Sequence, residues 1–539
     1  MTDRQTDRQT EGTPNWKNRT LFHGDNLKFL RAMNSESVHL IATDPPFNKG
    51  RDFHATPDSL ASGASFQDRW SWDEDVDQEW IDQITDDFPK VMNVVTGSRN
   101  SYGDDMGAFL CFMSVRLLEM HRILRKDGSI YLHCDPTASH YLKELMDAIF
   151  GRENFRNDIT WRRATAHNDA NRYGNITDTI LFYVKAKNAY WDGYEASTPK
   201  SPEEITKAYP SKDSRGRYRS DNLTGPLHGA KKGSPSTLPW KGYDVHKLGR
   251  CWSAPKTGEY AKYIQDYFIP NYLDIEGVHE RLDALNEAGL IYHPKRGKWP
   301  GLKRYASADR GIVPQNLILE PIGFTNYNKG TEATGYPTQK PIKLYEIFIK
   351  VSSREGDIVL DPFCGCATTL VAAERLGRKW VGIDIWDKAY ETVVEQLRKE
   401  KLLSPDGNKG GQLLVFGEIN HVKEPPERTD KGEEAVPFLK TKLKVDEPKG
   451  QKMSRAEMVD YLLDQQGWKC QGCDREFDDP RYLELDHNTP RSDGGLNHIS
   501  NRILLCGPCN KLKSNTYTLS GLQRQNKKLG YMVGQQTKR

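Results

Sequence analysis

The sequence predicts an α/β protein built on a doubly wound parallel sheet, with a small metal-stapled module behind it. Three observations carry this. Residues 357–385, DIVLDPFCGCATTLVAAERLGRKWVGIDI, spell a strand, a tight glycine-bearing turn, a helix and a second strand. Residues 19–47 repeat the strand–helix–strand alternation and end in Asp44-Pro45-Pro46-Phe47, and two C-x-x-C pairs stand near the C-terminus. Such alternation favours βαβ units, whose ligands bind at the carboxyl ends of the strands.

Residues 1–18 are poor in apolar side chains and are expected to be disordered. From Arg19 a short strand leads to Gly24-Asp25-Asn26. An amphipathic helix then carries Leu27, Leu30 and Met33, and the apolar run 38–42 enters the Asp-Pro-Pro-Phe turn, whose backbone the prolines fix. A carboxylate at Asp44 and the carbonyl of Pro45 can accept the two hydrogens of an exocyclic amine, freeing its lone pair from conjugation. The Phe47 ring can stack on a base taken out of a duplex. Residues 109–124 and 141–150 are expected helices, with a strand over 128–133 between them. His133, Cys134 and Asp135 suit a satisfied pocket or core position better than a metal site, since no second ligand pair has fitting spacing.

From 161 to 334 regular periodicity gives way to basic, aromatic and glycine residues, as in Arg162-Arg163, Lys231-Lys232, Trp240-Lys241, Gly249-Arg250, Lys295-Arg296 and Lys303-Arg304-Tyr305. Such clusters can neutralise phosphates while a few side chains reach base edges, or they can be the solvated charges of a loop-rich insertion. Residues 258–292 are expected to pack a small helical subdomain.

In the 357–385 stretch, Ile358, Val359 and Leu360 form a buried strand that Asp361-Pro362 ends, and Gly365 lets the backbone turn close to a ligand. Thr368 and Thr369 can cap the next helix, and Asp384 can accept both hydroxyls of a ribose. One turn glycine followed by Cys366-Ala367 is not the G-x-G-x-x-G of a dinucleotide site, so a cofactor without a pyrophosphate fits better. A helix over 388–399 precedes the end of this domain near 416.

The 539 residues allow about three to four domains. The 77 basic and 74 acidic residues nearly cancel to +3, so any nucleic-acid surface is a local patch. No apolar run approaches the roughly 20 residues of a membrane span and the start has no signal-peptide core, so no membrane partner and a cytoplasmic location are expected. The cysteines number nine, an odd count that favours metal ligation in a reducing compartment over a disulfide framework. Cys111, Cys134, Cys251, Cys364 and Cys366 default to buried or incidental thiols.

The order DPPF, then TQKP, then DPFCGCATT resembles the β-class of amino-group DNA methyltransferases over residues 20–420. The resemblance implies a Rossmann-like S-adenosylmethionine-dependent methyltransferase sheet from residues 19–160 and 335–417, with a target-recognition region inserted at 161–334. It implies Asp44, Pro45, Pro46 and Phe47 for catalysis. For S-adenosylmethionine it implies Asp361, Phe363, Gly365, Thr368, Thr369 and Asp384, together with Asp25 near the adenine and Thr338, Gln339 and Lys340 beside the methionine carboxylate. Tyr336 stands where many members carry His.

Residues 418–452, of mixed charge and containing proline, are expected to link to a module at 453–539. Cys470, Cys473, Cys506 and Cys509 form two knuckles that predict a closed tetrahedral structural zinc site. Between the knuckles, LELDHNTP and NRILLCGPCN resemble an HNH endonuclease, a ββα-metal nuclease. That resemblance implies His487 as general base, Asn501 as orienter of the His487 loop, and Asp486 and Asn510 as ligands of Mg2+ or another divalent cation. Lys511 and Lys513 are candidates for phosphate contact.

The expected function is therefore site-specific methyl transfer from S-adenosylmethionine to adenine N6 in double-stranded DNA, with a fused HNH nuclease, in restriction–modification or DNA defence. Asp44 instead of Ser favours adenine over cytosine N4. The alternatives are an N4-cytosine methyltransferase whose zinc module only docks DNA, and a modification-dependent nuclease on a methyltransferase-like scaffold. A homodimer is left open.

Overall fold

Val38–Thr43 and Ile358–Asp361 are buried along almost their whole length. They pair in parallel at the centre of the sheet, with Leu40 opposite Val359 and Ile41 opposite Leu360. Strands covered on both faces have no polar side to show, hence the apolar runs, which His39 alone interrupts near the start of the first strand, where it pairs with Asp357. The structure, a computed structural model, describes residues 12–55, 59–227, 233–294, 299–320, 323, 332–404, 414–415, 419–430, 453–488, 498–513 and 517–533. The expectations for residues 1–11, Lys231-Lys232, Lys295-Arg296, Thr489-Pro490 and 431–452 fall outside these.

The sheet has nine strands, in the order Leu317–Ile318, Phe155–Arg162, Thr177–Val184, Leu124–Cys134, Val38–Thr43, Ile358–Asp361, Lys379–Asp384, Thr20–His23 and Asn420–Val422. Thr177–Val184 is antiparallel to both neighbours, and the remaining pairs are parallel. From Val38–Thr43 the chain moves outward to Leu124–Cys134, and from Ile358–Asp361 it moves the opposite way to Lys379–Asp384. That divergence opens a crevice at the carboxyl ends of the two central strands. One core packs Asn26–Ala32, Asp104–Ile123 and Ser139–Phe150 against one face. The other packs Ile342–Ser352, Thr368–Arg375 and Ala389–Lys399.

Two boundaries differ from expectation. Phe155–Arg162 and Thr177–Val184 complete the sheet, so the compact inserted unit is Gly193–Pro314 and not 161–334. Trp161, Ile180 and Phe182 are buried in the sheet's core, an apolar anchor that the basic neighbours conceal in the sequence. At the other end Asn420–Val422 pairs with Thr20–His23, and the Thr429 N–H donates to Asn34 Oδ1 at 2.9 Å. The sheet unit thus continues past 417 into the expected linker.

The inserted unit holds an antiparallel sheet ordered Ile291–Tyr292, Gly301–Tyr305, Gly216–Asn222, Ser211–Asp213. Helices Glu259–Tyr267 and Val278–Glu287 supply the helical packing expected of 258–292, around Trp240, Trp252, Tyr272 and Tyr305.

The C-terminal module is an antiparallel pair, Leu483–His487 with Arg502–Cys506, followed by helix Gly507–Lys513. Helix Arg455–Gln466, opened by a Ser454/Glu457 capping box, and helix Leu519–Lys528 flank it. The module meets the sheet unit at the end of helix Gln78–Asp87. Asp86 accepts from Thr518 Oγ1 at 2.5 Å and Ser520 Oγ at 3.1 Å, and pairs with Arg524 at 3.3 Å. Among the described residues no helix is long and apolar enough to cross a membrane.

Candidate active site and metal centre

The crevice holds a cavity of about 430 Å³, within the range of small-molecule sites. Asp25, Asp44, Pro45, Pro46, Phe47, Thr338, Gln339, Lys340, Asp361, Phe363, Gly365, Thr368, Thr369 and Asp384 all line it. Residues from five separate stretches of sequence are thereby brought to one edge of the sheet.

Asp44 follows strand Val38–Thr43 directly. Its Oδ2 pairs with Lys340 Nζ at 2.5 Å, and its buried Oδ1 has no hydrogen-bond partner among the described residues. Lys340, only 6% exposed, also donates to the Thr338 carbonyl at 2.9 Å. Phe47 is buried, its ring stacked on His133 with centroids 5.9 Å apart. His133 is buried as expected, with its Nε2 3.1 Å from Asp178 Oδ2, but it is only half satisfied, since its buried Nδ1 has no hydrogen-bond partner among the described residues.

The turn of 362–367 is braced by Asp384. Its Oδ2 accepts the Gly365 N–H at 2.7 Å and its Oδ1 the Trp386 N–H at 2.8 Å. Burial pushes this carboxyl above its ordinary range, and those N–H bonds pull against the shift. Gly365 has φ +48°, and a Cβ there would stand 2.9 Å from the Tyr336 ring. Glycine is required for both reasons. Thr368 and Thr369 do not cap the helix as expected, because Ala367 occupies the N-cap in a left-handed conformation. Buried hydroxyls need acceptors, and these two turn to the carbonyls of Lys340 and Ala42, each at 3.3 Å.

Asp361 accepts from Thr43 Oγ1 at 2.7 Å and from the Phe363 N–H at 3.1 Å. Burial, with a smaller push from the Asp44 charge, raises its carboxyl to about 7. Asp25 caps helix Asn26–Ala32 through the Leu27 N–H and pairs with Arg116 at 3.1 Å. Gln339 Oε1 accepts from both the N–H and the hydroxyl of Thr334, so its amide folds its own loop.

Four contributing residues escaped the sequence reading. Arg116 sits 1% exposed inside an apolar helix, with its guanidinium over the Phe112 ring. Phe53 and Phe66 stack across a short hairpin and line the cavity. Asp68 accepts the N–H groups of Phe47 and Asn48, and burial raises its carboxyl to about 6. None of these has a motif around it that could have signalled it.

Several basic clusters of the middle region are tied within the fold. Arg162 pairs with Glu320 and Arg163 with Asp178 in the sheet unit, while Lys303 pairs with Asp213, Arg304 with Asp221 and Lys241 with Asp283 in the inserted unit.

In the C-terminal module the sulfurs of Cys470, Cys473, Cys506 and Cys509 all lie within 4.8 Å of one another and are buried. Cys470 Sγ accepts the Cys506 N–H at 3.3 Å and Cys509 Sγ accepts from Asn526 Nδ2 at 3.3 Å. A buried thiol quartet with N–H donors to its sulfurs fits a structural zinc ion. Asp486 Oδ2 lies 3.0 Å from Lys513 Nζ, and Asn510 Nδ2 donates to Glu484 Oε2 at 2.5 Å. Lys513, 1% exposed, is thus an internal partner of Asp486 and not the phosphate contact expected. His487 Nδ1 lies 3.1 Å from Arg502 Nη1, and the Asn501 carbonyl accepts the Asn488 N–H at 2.9 Å, tying down the residue after His487.

Residues 38–395 match the family described as DNA methylase, and residues 470–516 match the HNH endonuclease family. The Type II methyltransferase M.EcaI of Enterobacter cloacae is 33% identical over 312 residues, covering 56% of this chain and 60% of that protein. The Type III restriction-modification enzyme StyLTI Mod subunit of Salmonella typhimurium is 25% identical over 66% of this chain and 50% of its own length. The chain therefore spans between half and three fifths of these two relatives. DNA adenine methyltransferase YhdJ of Escherichia coli is 23% identical over 75% of this chain and 93% of its own. The solved M1.HpyAVI–SAM complex superposes with a TM-score of 0.31 at 15% identity, covering 70% of this chain and 98% of that one.

Proposed function

The chain belongs to the DNA methylase family and carries an HNH endonuclease domain, and from that premise we propose that it transfers a methyl group from S-adenosylmethionine to adenine N6 at a specific site in double-stranded DNA. The observation that carries this is Asp44, which lines the cavity with a buried Oδ1 that has no hydrogen-bond partner among the described residues. An acceptor so placed can take an N–H from the target amine and turn the nitrogen lone pair out of conjugation with the ring. Asp44, and not Ser, at this position favours adenine over cytosine.

S-adenosylmethionine, when bound, supplies a methyl group on a sulfonium, the electrophile of the reaction. The cavity suits it on two counts: the orphaned Asp44 oxygen, and the Gly365 cradle that a Cβ would fill. The braced turn of Gly365 and Asp384 would hold the nucleoside part, with Asp25 near its adenine, and Thr338 to Lys340 the amino-acid part. Lys340 keeps Asp44 Oδ2 engaged, which leaves Oδ1 to face the amine. Gly365→Ala is expected to weaken cofactor binding by tenfold or more, since an alanine there must bear a left-handed backbone at ~1–2 kcal/mol and displace Tyr336. Calorimetric titration with S-adenosylmethionine reads this directly.

The HNH module is proposed to cut DNA in a restriction–modification or defence setting, with His487 as base. Asp486 and Asn510 would take the divalent cation, which requires Lys513 to release Asp486. Expression in a host free of DNA methylation, followed by single-molecule sequencing, tests the transferase reading. N6-methyladenine in one short motif is expected, and N4-methylcytosine alone would refute the adenine assignment. For the nuclease, metal-dependent nicking should exceed that of His487→Ala on modified or unmodified DNA, and equality on both removes it.

A further inference from the structure

Asp68 stands outside every motif of the sequence, yet it closes the turn that carries Asp44. Resting on the methyltransferase reading above, we propose that Asp68 is a positioning residue of the transfer site, a clasp that holds the 44–48 turn in its reactive shape. Its Oδ1 accepts two backbone N–H groups at once, from Phe47 at 2.7 Å and from Asn48 at 2.6 Å. Its own carbonyl accepts the Gly50 N–H at 2.9 Å. Three successive contacts therefore converge on one residue.

The turn needs such a partner for a physical reason. Pro45 and Pro46 contribute no N–H, and Asn48 adopts a left-handed backbone with φ +62°, a conformation that costs most non-glycine residues about 1–2 kcal/mol and Asn less. Neither helix nor strand ladder reaches these amides, and a buried amide left unpaired costs as much again. Asp68 answers both demands. It is 1% exposed, so its bonds compete with little water and hold the more firmly.

Two further observations place it at the chemistry and not merely beneath it. Asp68 lines the same cavity as Asp44, and its buried Oδ2 has no hydrogen-bond partner among the described residues. It also stands two positions after the strand Ser65–Phe66, so the hairpin that sets Phe53 against Phe66 is joined to the Asp44 turn at this carboxylate. The aromatic hairpin beside the cavity and the turn bearing the amine acceptor then move as one piece.

Full-length wild type, Asp68→Ala and Asp68→Asn would be compared for kcat and KM with DNA from a methylation-free host, and for S-adenosylmethionine affinity by calorimetry. Asp68→Ala is expected to lose about 100-fold in kcat, the order of effect of misplacing a reacting group by about 1 Å, with cofactor affinity within about threefold of wild type, since the cofactor residues sit on other segments. Asp68→Asn keeps an Oδ1 that can accept both N–H groups, and is expected to stay within about tenfold of wild type. The proposal is overturned if Asp68→Ala keeps kcat within about threefold, if Asp68→Asn is as inactive as Asp68→Ala, or if both variants lose cofactor binding together with turnover. A wild type that neither binds S-adenosylmethionine nor methylates DNA would instead overturn the methyltransferase reading itself.

Discussion

Asp44→Ala is expected to lower methyl transfer by about 1,000-fold or more, a loss of roughly 4 kcal/mol in transition-state stabilisation, while S-adenosylmethionine still binds. Asp44 follows the central strand Val38–Thr43 and lines the cavity, with one oxygen held by Lys340 and the other buried without a hydrogen-bond partner among the described residues. Alanine removes the acceptor that would direct the amine lone pair, and no other carboxylate follows that strand. It also leaves the Lys340 ammonium, 6% exposed, with the Thr338 carbonyl as its one hydrogen-bond acceptor among the described residues. Breaking a buried pair by deleting one partner costs about 3–5 kcal/mol, so a fall in thermal stability should accompany the loss of turnover. Asp44→Asn separates the two effects: it keeps an oxygen for Lys340 and preserves most of the stability, yet puts an NH2 donor in place of the Oδ1 acceptor. Initial rates on unmethylated genomic DNA, with a melting curve for each variant, check this. Activity of Asp44→Ala within tenfold of wild type would remove Asp44 from the mechanism.

The second large effect is expected from metal removal. Among the described residues, twelve buried hydrophobic side chains form the core of the C-terminal module, and four of them are the cysteines of the quartet. A core this small does not hold a domain without a staple. Zinc at a closed thiolate site contributes about 10 kcal/mol or more of folding free energy. The purified chain is expected to carry one zinc per molecule by atomic absorption. Chelation, or Cys506→Ser, should unfold the module in a separate transition and abolish nicking. Methyl transfer should persist, because the module reaches the sheet unit at Asp86 and Asp87, at the end of helix Gln78–Asp87, and neither residue lines the cavity. A chain free of zinc whose module resists chelators would refute the structural-metal assignment.

What was legible in the sequence shares one property: it is local. The apolar runs 38–42 and 358–360, the glycine turn at 365, the Asp44 turn and the cysteine spacing each express, within a few residues, a constraint of backbone geometry or ligand chemistry. The α/β sheet, the ββα module and the gathering of the motif residues around one cavity follow from these.

Only the tertiary structure decided the partners. Lys340 reaches Asp44 across 296 positions, and Asp68 reaches Phe47 across 21. Lys513 is spent on Asp486, and strands Phe155–Arg162 and Thr177–Val184 join the sheet despite their basic surroundings. The reason is common to the three side-chain pairings. A strand or a turn is selected by residues adjacent in the chain, whereas the partner of a buried charge is selected by what the finished packing brings within about 3 Å, and that is a property of the whole fold.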